Sequence, residues 1–134
     1  MSAIQGKPPG HFVLRETTDA TFERDVLKST LPIFVIFYSR QCSACHEMEA
    51  TINQIGIAFN GRLNFLKINI HNNPAYTARY VKAGLPCSVL FHKGDIVRDT
   101  RILDGQSVWT GNAINLQYFL NWLNTVLNVI SENW

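Results

Sequence analysis

The run Ile33 to Tyr38 is the feature that most constrains how this chain folds. Its residues are apolar at both alternating sets of positions, which is the pattern of a strand covered on both faces in the centre of a sheet. Such a strand needs helices above and below it. Segments with a helical spacing of apolar residues precede and follow the run, so the sequence predicts an α/β fold.

Strand patterns alternate with helix patterns along the chain, which contains no internal repeat and no low-complexity linker. The predicted order is β-α-β-α-β-α-β-β-α. Its strands are residues 11–15, 33–38, 63–70, 88–92 and 96–103, and its helices are 17–29, 42–60, 73–81 and a long closing helix around 116–130. Thr18 or Asp19 is the expected N-cap of the first helix, and Asp104 to Asn112 is expected to form a loop.

Size and composition exclude several classes of protein. The chain has 134 residues, 46% of them hydrophobic, so we expect a single domain at 11–134 after a flexible tail at 1–10. The tail has one charged side chain and no apolar stretch, unlike a secretory signal. No run approaches the ~18 apolar residues of a membrane span, so we expect a cytoplasmic protein without a membrane partner. A net charge of +2 is too small and too scattered to indicate a nucleic-acid partner.

The motif Cys42-Ser43-Ala44-Cys45 directly follows the central strand and opens a helix pattern. Two thiols at this spacing and place predict a dithiol that cycles with a disulfide. The sulfur of Cys42 would lie near unsatisfied backbone N–H groups and the positive end of the helix dipole, and both favour thiolate over thiol. The thiolate is the form that attacks a disulfide.

The element order, the Cys-x-x-Cys after the second strand and Pro86 before the fourth resemble the thioredoxin family over roughly Phe12 to Leu127. Further matches are Lys67-Ile68-Asn69-Ile70 with Asn73-Pro74, the segment Tyr80 to Pro86, and Val89 to Gly94. The resemblance implies the thioredoxin fold, a central mixed sheet flanked by helices. It also implies a thiol-disulfide oxidoreductase that acts on protein disulfides, needs no cofactor and is re-reduced by a reductase or dithiol donor.

The resemblance also implies roles for individual residues. Cys42 is the expected nucleophile and Cys45 the resolving thiol. Leu85-Pro86 is expected to be a cis bond whose backbone pairs with an extended substrate strand. The remaining candidates are Arg40 as a charge that supports the thiolate, and Ser43, Ala44, Gly84 and Trp109 as substrate contacts.

The chain departs from the family at several places around the dithiol. Gln41 stands where thioredoxins have Trp, and Ser43-Ala44 replaces their Gly-Pro. Ile36 stands where the family has a buried Asp that accepts the proton of the second cysteine, whereas the partner lysine is kept as Lys67. We expect Lys67 either to favour the Cys45 thiolate or to reach solvent. The step in which Cys45 attacks the mixed disulfide and releases the partner is expected to be slow, unless water, Lys67 or another group replaces the proton acceptor.

Two residues have more than one interpretation. Cys87 follows the cis proline, where Thr is common, and is either a small buried side chain, an alternative disulfide partner, or a metal ligand together with Cys42, Cys45 and His46. Trp109 either binds partners from its loop or packs onto the core. A second hypothesis keeps the fold but replaces turnover with protein binding or assembly through the Leu85-Pro86 groove.

Overall fold

The computed structural model describes residues 12–133 and contains a six-stranded mixed sheet. Its strands are β1 (Arg15–Glu16), β2 (Ile33–Tyr38), β3 (Asn64–Asn69), β4 (Cys87–His92), β5 (Asp95–Ile96) and β6 (Val108–Trp109). The helices are a π-helix (Glu23–Leu27), α1 (Ser43–Ile55), α2 (Pro74–Tyr80) and α3 (Leu116–Asn133). Short 3-10 helices occupy Gly56–Phe59 and Leu103–Gly105. The predicted tail at 1–10 lies outside the described residues.

The strand β2 lies in the middle of the sheet, as its apolar pattern predicts. It pairs in parallel with β3 and antiparallel with β4, within the order β1-β3-β2-β4-β5. Ile33 to Phe37 are all buried. Both β5 and β6 pair with β4, β5 near its C-terminal end and β6 near its N-terminal end. The predicted mixed sheet flanked by helices is therefore confirmed.

Two apolar cores hold helices against the two faces of the sheet. On the α1–α3 face, Phe34 and Ile36 pack with residues of α1 and α3 such as Met48 and Leu123. On the α2 face, partly buried side chains of α2 pack against a buried cluster from the π-helix region and from β2, β3 and β4. The cluster consists of Phe22, Val26, Ile33, Val35, Phe37, Leu66, Ile68, Cys87, Val89 and Phe91. Burying each large apolar side chain contributes roughly 1.5–3 kcal/mol.

The predicted helix at 17–29 is wrong in extent, because the helix found there is the five-residue π-helix Glu23–Leu27. Asp19 does not cap this segment. Its carboxylate instead accepts hydrogen bonds from the backbone N–H groups of Ala75 at 2.9 Å and Tyr76 at 3.2 Å, which open α2. Asp19 therefore caps a helix distant in sequence, whereas the prediction placed it on the helix that follows it.

The segment from β5 to α3 also differs from its prediction. The expected strand at 96–103 is reduced to β5, and the expected loop at 104–112 contains a 3-10 turn and β6. The hydrogen bonds of Ser107 explain why the chain after β5 returns to the sheet as β6. Its hydroxyl donates to the Leu90 carbonyl at 2.6 Å and accepts from the Val97 N–H at 2.9 Å, which ties this segment to β4.

Candidate active site

The dithiol lies where β2 turns into α1. Cys42 and Cys45 form a disulfide, with their Cα atoms 5.2 Å apart. Cys42 is the N-cap of α1, and its sulfur accepts a hydrogen bond from the Cys45 N–H at 3.1 Å. The Cys42 sulfur therefore accepts a hydrogen bond from one of the N–H groups that have no carbonyl partner within the helix, at its positive end, as the motif predicts.

The two cysteines differ in their exposure. Cys42 is half-buried, whereas Cys45 is 1% exposed. The sulfur of Cys45 lies 3.8 Å from the carbonyl oxygen of Phe37, inside the junction of β2 and α1. A molecule arriving from solvent therefore meets Cys42 first.

The proline loop reaches the same end of the sheet as the dithiol. The Leu85-Pro86 peptide bond is cis, and it leads directly into β4. Because β4 is antiparallel to β2, its first residue, Cys87, pairs with Phe37 near the end of β2. Gly84, which has a φ of 86°, is exposed on this loop. Beyond Gly84, a groove runs between α2 and β6.

The other residues predicted around the dithiol lie on the turn before α1 and on its first turn. Arg40 and Ser43 are exposed and Ala44 is half-buried. Gln41, in the place of the family's Trp, is exposed, and its amide oxygen accepts a hydrogen bond from the Ser39 hydroxyl at 2.8 Å. Gln41 therefore fixes the turn but adds no apolar surface beside the sulfur.

Cys87 has the structural role that one of its interpretations predicts. Its side chain belongs to the apolar core of the α2 face, the residue is 3% exposed, and burial raises the pKa of its thiol to about 11. The disulfide joins Cys42 to Cys45 and leaves Cys87 as the free thiol. The interpretation of Cys87 as an alternative disulfide partner is therefore not supported.

The metal-site interpretation of Cys87 finds no support among the described residues. Within residues 12–133, no three His, Cys, Asp or Glu side chains are close enough to hold one metal ion. His46, the suggested fourth ligand, makes a 2.9 Å hydrogen bond through its Nε2 with the carbonyl oxygen of Arg40. This bond spans the turn before α1.

Lys67 does not extend freely into solvent, which was one of its two predicted positions, and its influence on the Cys45 thiolate stays a prediction. Its Nζ forms an ion pair with the Glu49 carboxylate of α1 at 2.9 Å, and it lies 5.3 Å from the centre of the Tyr38 ring. The side chains of this ion pair are only 20% and 27% exposed. Sequence reasoning missed Glu49, although its spacing of four residues from Cys45 places both on one side of α1.

Trp109 is not a binding contact on a loop, so that prediction is wrong. It is 7% exposed, and its indole N–H donates to the Asn112 carbonyl at 3.1 Å. Its ring packs 5.0 Å from Phe119 and 5.3 Å from Trp122, measured between ring centroids. The reason is the pairing of β6 with β4, which turns the Trp109 side chain beneath α3.

Comparison with protein-family models matches the thioredoxin family over residues 13–107. This chain belongs to the thioredoxin family. It is 35% identical to the thioredoxin of Streptomyces clavuligerus over 86 residues, which is 64% of this chain and 79% of that protein. It is also 35% identical to the thioredoxin of Rickettsia bellii over 85 residues, which is 63% of this chain and 80% of that protein.

Family membership and the Cys42–Cys45 disulfide together make this thioredoxin-family protein a thiol-disulfide oxidoreductase. As in its family, its substrates are protein disulfides and its redox partner is a reductase. Among residues 12–133, none of the helices has both the length and the apolar character needed to cross a bilayer.

Proposed function

We propose that Cys42 is the attacking thiolate and Cys45 the resolving thiol in a two-step exchange with a protein disulfide. One observation carries this assignment. The Cys42 sulfur accepts a backbone N–H at the start of α1, while Cys45 lies one turn further in and is buried. Helix N–H groups stabilise a thiolate on Cys42, and its partial exposure lets a disulfide approach.

In the first step, the Cys42 thiolate attacks one sulfur of the partner disulfide. A bond forms between Cys42 and that sulfur, and the partner's other sulfur leaves as a thiolate and takes up a proton. In the second step, Cys45 loses its proton and attacks the Cys42 sulfur. The bond to the partner breaks, the partner leaves as a dithiol, and the protein keeps the Cys42–Cys45 disulfide.

We propose that the substrate lies as an extended segment against the loop at Leu85-Pro86. The loop supports this because it enters β4 at the end of the sheet where β2 leads to Cys42. An extended segment pairs with exposed backbone groups, as in the addition of a strand to a sheet. Ser43 and Ala44 on the first turn of α1 and the exposed Gly84 on the loop are its proposed contacts, and Arg40 is proposed to add a positive charge on the turn before Cys42.

The net charge of the chain bears on the class of its partner. The small net charge of +2 favours a protein partner over nucleic acid. A cytoplasmic location and a single domain at 11–134 stay predictions.

Replacing Cys45 with serine is expected to trap the first intermediate. The Cys45→Ser variant keeps the Cys42 thiolate but lacks the thiol that resolves the mixed disulfide. Incubation of the reduced variant with a small disulfide-bonded protein should therefore accumulate a covalent adduct. Mass spectrometry should detect the adduct, and dithiothreitol should remove it.

The matched control for this trap is the Cys42→Ser variant, which should form no adduct. An adduct of equal yield on Cys42→Ser would mean that Cys45 or Cys87 attacks the partner. Either case would contradict the proposed role of Cys42 as the attacking thiol.

A further inference from the structure

Cys45 presents a problem of proton transfer. In the second step its thiol must lose a proton, because only a thiolate attacks the Cys42 sulfur. The residue is 1% exposed, so bulk water has little access to it. Burial without a compensating partner disfavours the charged form of a thiol. Some group within the protein must therefore accept this proton if resolution is to be fast.

The groups that face Cys45 from the sheet cannot accept a proton. The Cys45 sulfur lies 3.8 Å from the carbonyl oxygen of Phe37, which accepts hydrogen bonds but not protons at neutral pH. Ile36, before it, is apolar and buried. Ser88 pairs with Ile36 across β2 and β4, and its hydroxyl is buried without a hydrogen-bond partner among residues 12–133. A hydroxyl can bind water there but is too weak a base to take the proton.

Glu49 is the carboxylate of α1 that lies on the same side of the helix as Cys45, four residues further along. Residues four apart on a helix are neighbours, with Cβ atoms roughly 5–6 Å apart, a distance that one water molecule spans. The Glu49 carboxylate turns toward the sheet, because it pairs with Lys67 of β3 at 2.9 Å. Lys67 in turn pairs with Ile36 in the sheet register. The carboxylate thus lies against Lys67, the β3 residue that neighbours Ile36 in the sheet.

The surrounding groups hold Glu49 in this position. Lys67 faces it from β3, and the Tyr38 ring of β2 lies under the Lys67 ammonium. The Tyr38 hydroxyl donates to Glu16 of β1. Burial, followed by the bond to Glu16, raises the pKa of Tyr38 to about 12, so the phenol stays neutral. On α1 itself, His46 is engaged by the Arg40 carbonyl.

We propose that Glu49 accepts the proton of Cys45 through a water molecule during resolution, and that Lys67 is its positioning residue. This inference rests on the proposed roles of Cys42 and Cys45. The proton passes from the Cys45 thiol to Glu49 as the Cys45–Cys42 bond forms and the Cys42–partner bond breaks. Glu49 then passes the proton to the departing partner thiolate, directly or through solvent, which restores the carboxylate.

The test follows the reduced protein as it reacts with Ellman's reagent in a stopped-flow instrument. The attack of Cys42 releases a first coloured thiolate at a rate that depends on the reagent concentration. Resolution by Cys45 releases a second coloured thiolate in a first-order phase that does not depend on that concentration. Any reaction of the buried Cys87 would depend on the concentration, so it is distinct from resolution.

In the Glu49→Gln variant, the second phase should slow by about a hundredfold at pH 7, the lower end of the range for a positioned acid or base. Its rate should then rise close to tenfold per pH unit, since the Cys45 thiol must ionise unaided. The natural protein should show a much shallower pH dependence. The first phase should be unchanged, because Cys42 does not use Glu49.

Two further variants keep the inference falsifiable. Glu47→Gln changes an exposed carboxylate of the same helix and should alter neither phase. Lys67→Met frees the Glu49 carboxylate from its partner and should slow the second phase by less than Glu49→Gln does. An unchanged second phase and pH profile in Glu49→Gln would overturn the inference alone. Absence of the second phase in the natural protein would instead overturn the proposed function.

Discussion

The Cys42→Ser variant should reduce a protein disulfide at least about a thousandfold more slowly than the natural protein, with dithiothreitol as electron donor. A serine hydroxyl is not ionised at neutral pH and is a much weaker nucleophile than a thiolate. The helix N–H that holds the Cys42 sulfur cannot compensate for this difference. The measurement is the initial rate of thiol release from the substrate, corrected for the rate with dithiothreitol alone.

Cys87→Ser is the matched control for this loss. It removes a thiol of the same size, but one that lies in the core and outside the disulfide. Its turnover should stay within about twofold of the natural protein at temperatures where it is folded. If Cys42→Ser kept substantial turnover, or if Cys87→Ser lost it equally, the reaction would not begin at Cys42.

The second large effect concerns stability. Trp109→Ala should lower the free energy of unfolding by about 3–5 kcal/mol, the range measured for removing a buried Phe or Trp. The Trp109 ring contacts Phe119 and Trp122 of α3, and its removal leaves a cavity between α3 and the sheet. The measurement is urea unfolding followed by circular dichroism, so that the loss of indole fluorescence does not interfere.

Leu103→Ala is the control for this stability effect, because Leu103 is 54% exposed and lies in the same connection between β5 and β6. It should change the free energy of unfolding by no more than about 0.5 kcal/mol. Substrate affinity should be unaltered in Trp109→Ala below its unfolding range. Unchanged stability together with weakened substrate binding would restore Trp109 to the role of a surface contact.

The sequence predicts those parts of the fold that depend on local pattern. The doubly apolar β2 and the helical spacing after Cys42 each carry a signal within a few residues. The N-cap position of Cys42 is likewise local, since it follows from a strand ending and a helix starting around one motif. The prediction of the dithiol and its helix is therefore confirmed.

The parts that sequence reasoning missed depend on contacts between distant segments. Asp19 has the residue type of an N-cap, but its helix lies more than fifty residues away along the chain. The Lys67–Glu49 ion pair joins β3 to α1, and a lysine alone does not reveal which carboxylate it meets. The position of Trp109 also depends on a distant segment. Its polar neighbours in sequence suggest a loop, but the pairing of β6 with β4 buries it.

The most direct test of the central claim is an equilibrium redox titration of the purified protein against glutathione, read by the mass added on thiol alkylation. It should be carried out on the natural chain and on Cys87→Ala. We expect one reversible two-electron couple that involves Cys42 and Cys45 and has the same midpoint in both proteins. A pair that does not cycle would contradict the oxidoreductase and favour a binding module, and a disulfide that requires Cys87 would contradict the Cys42–Cys45 mechanism.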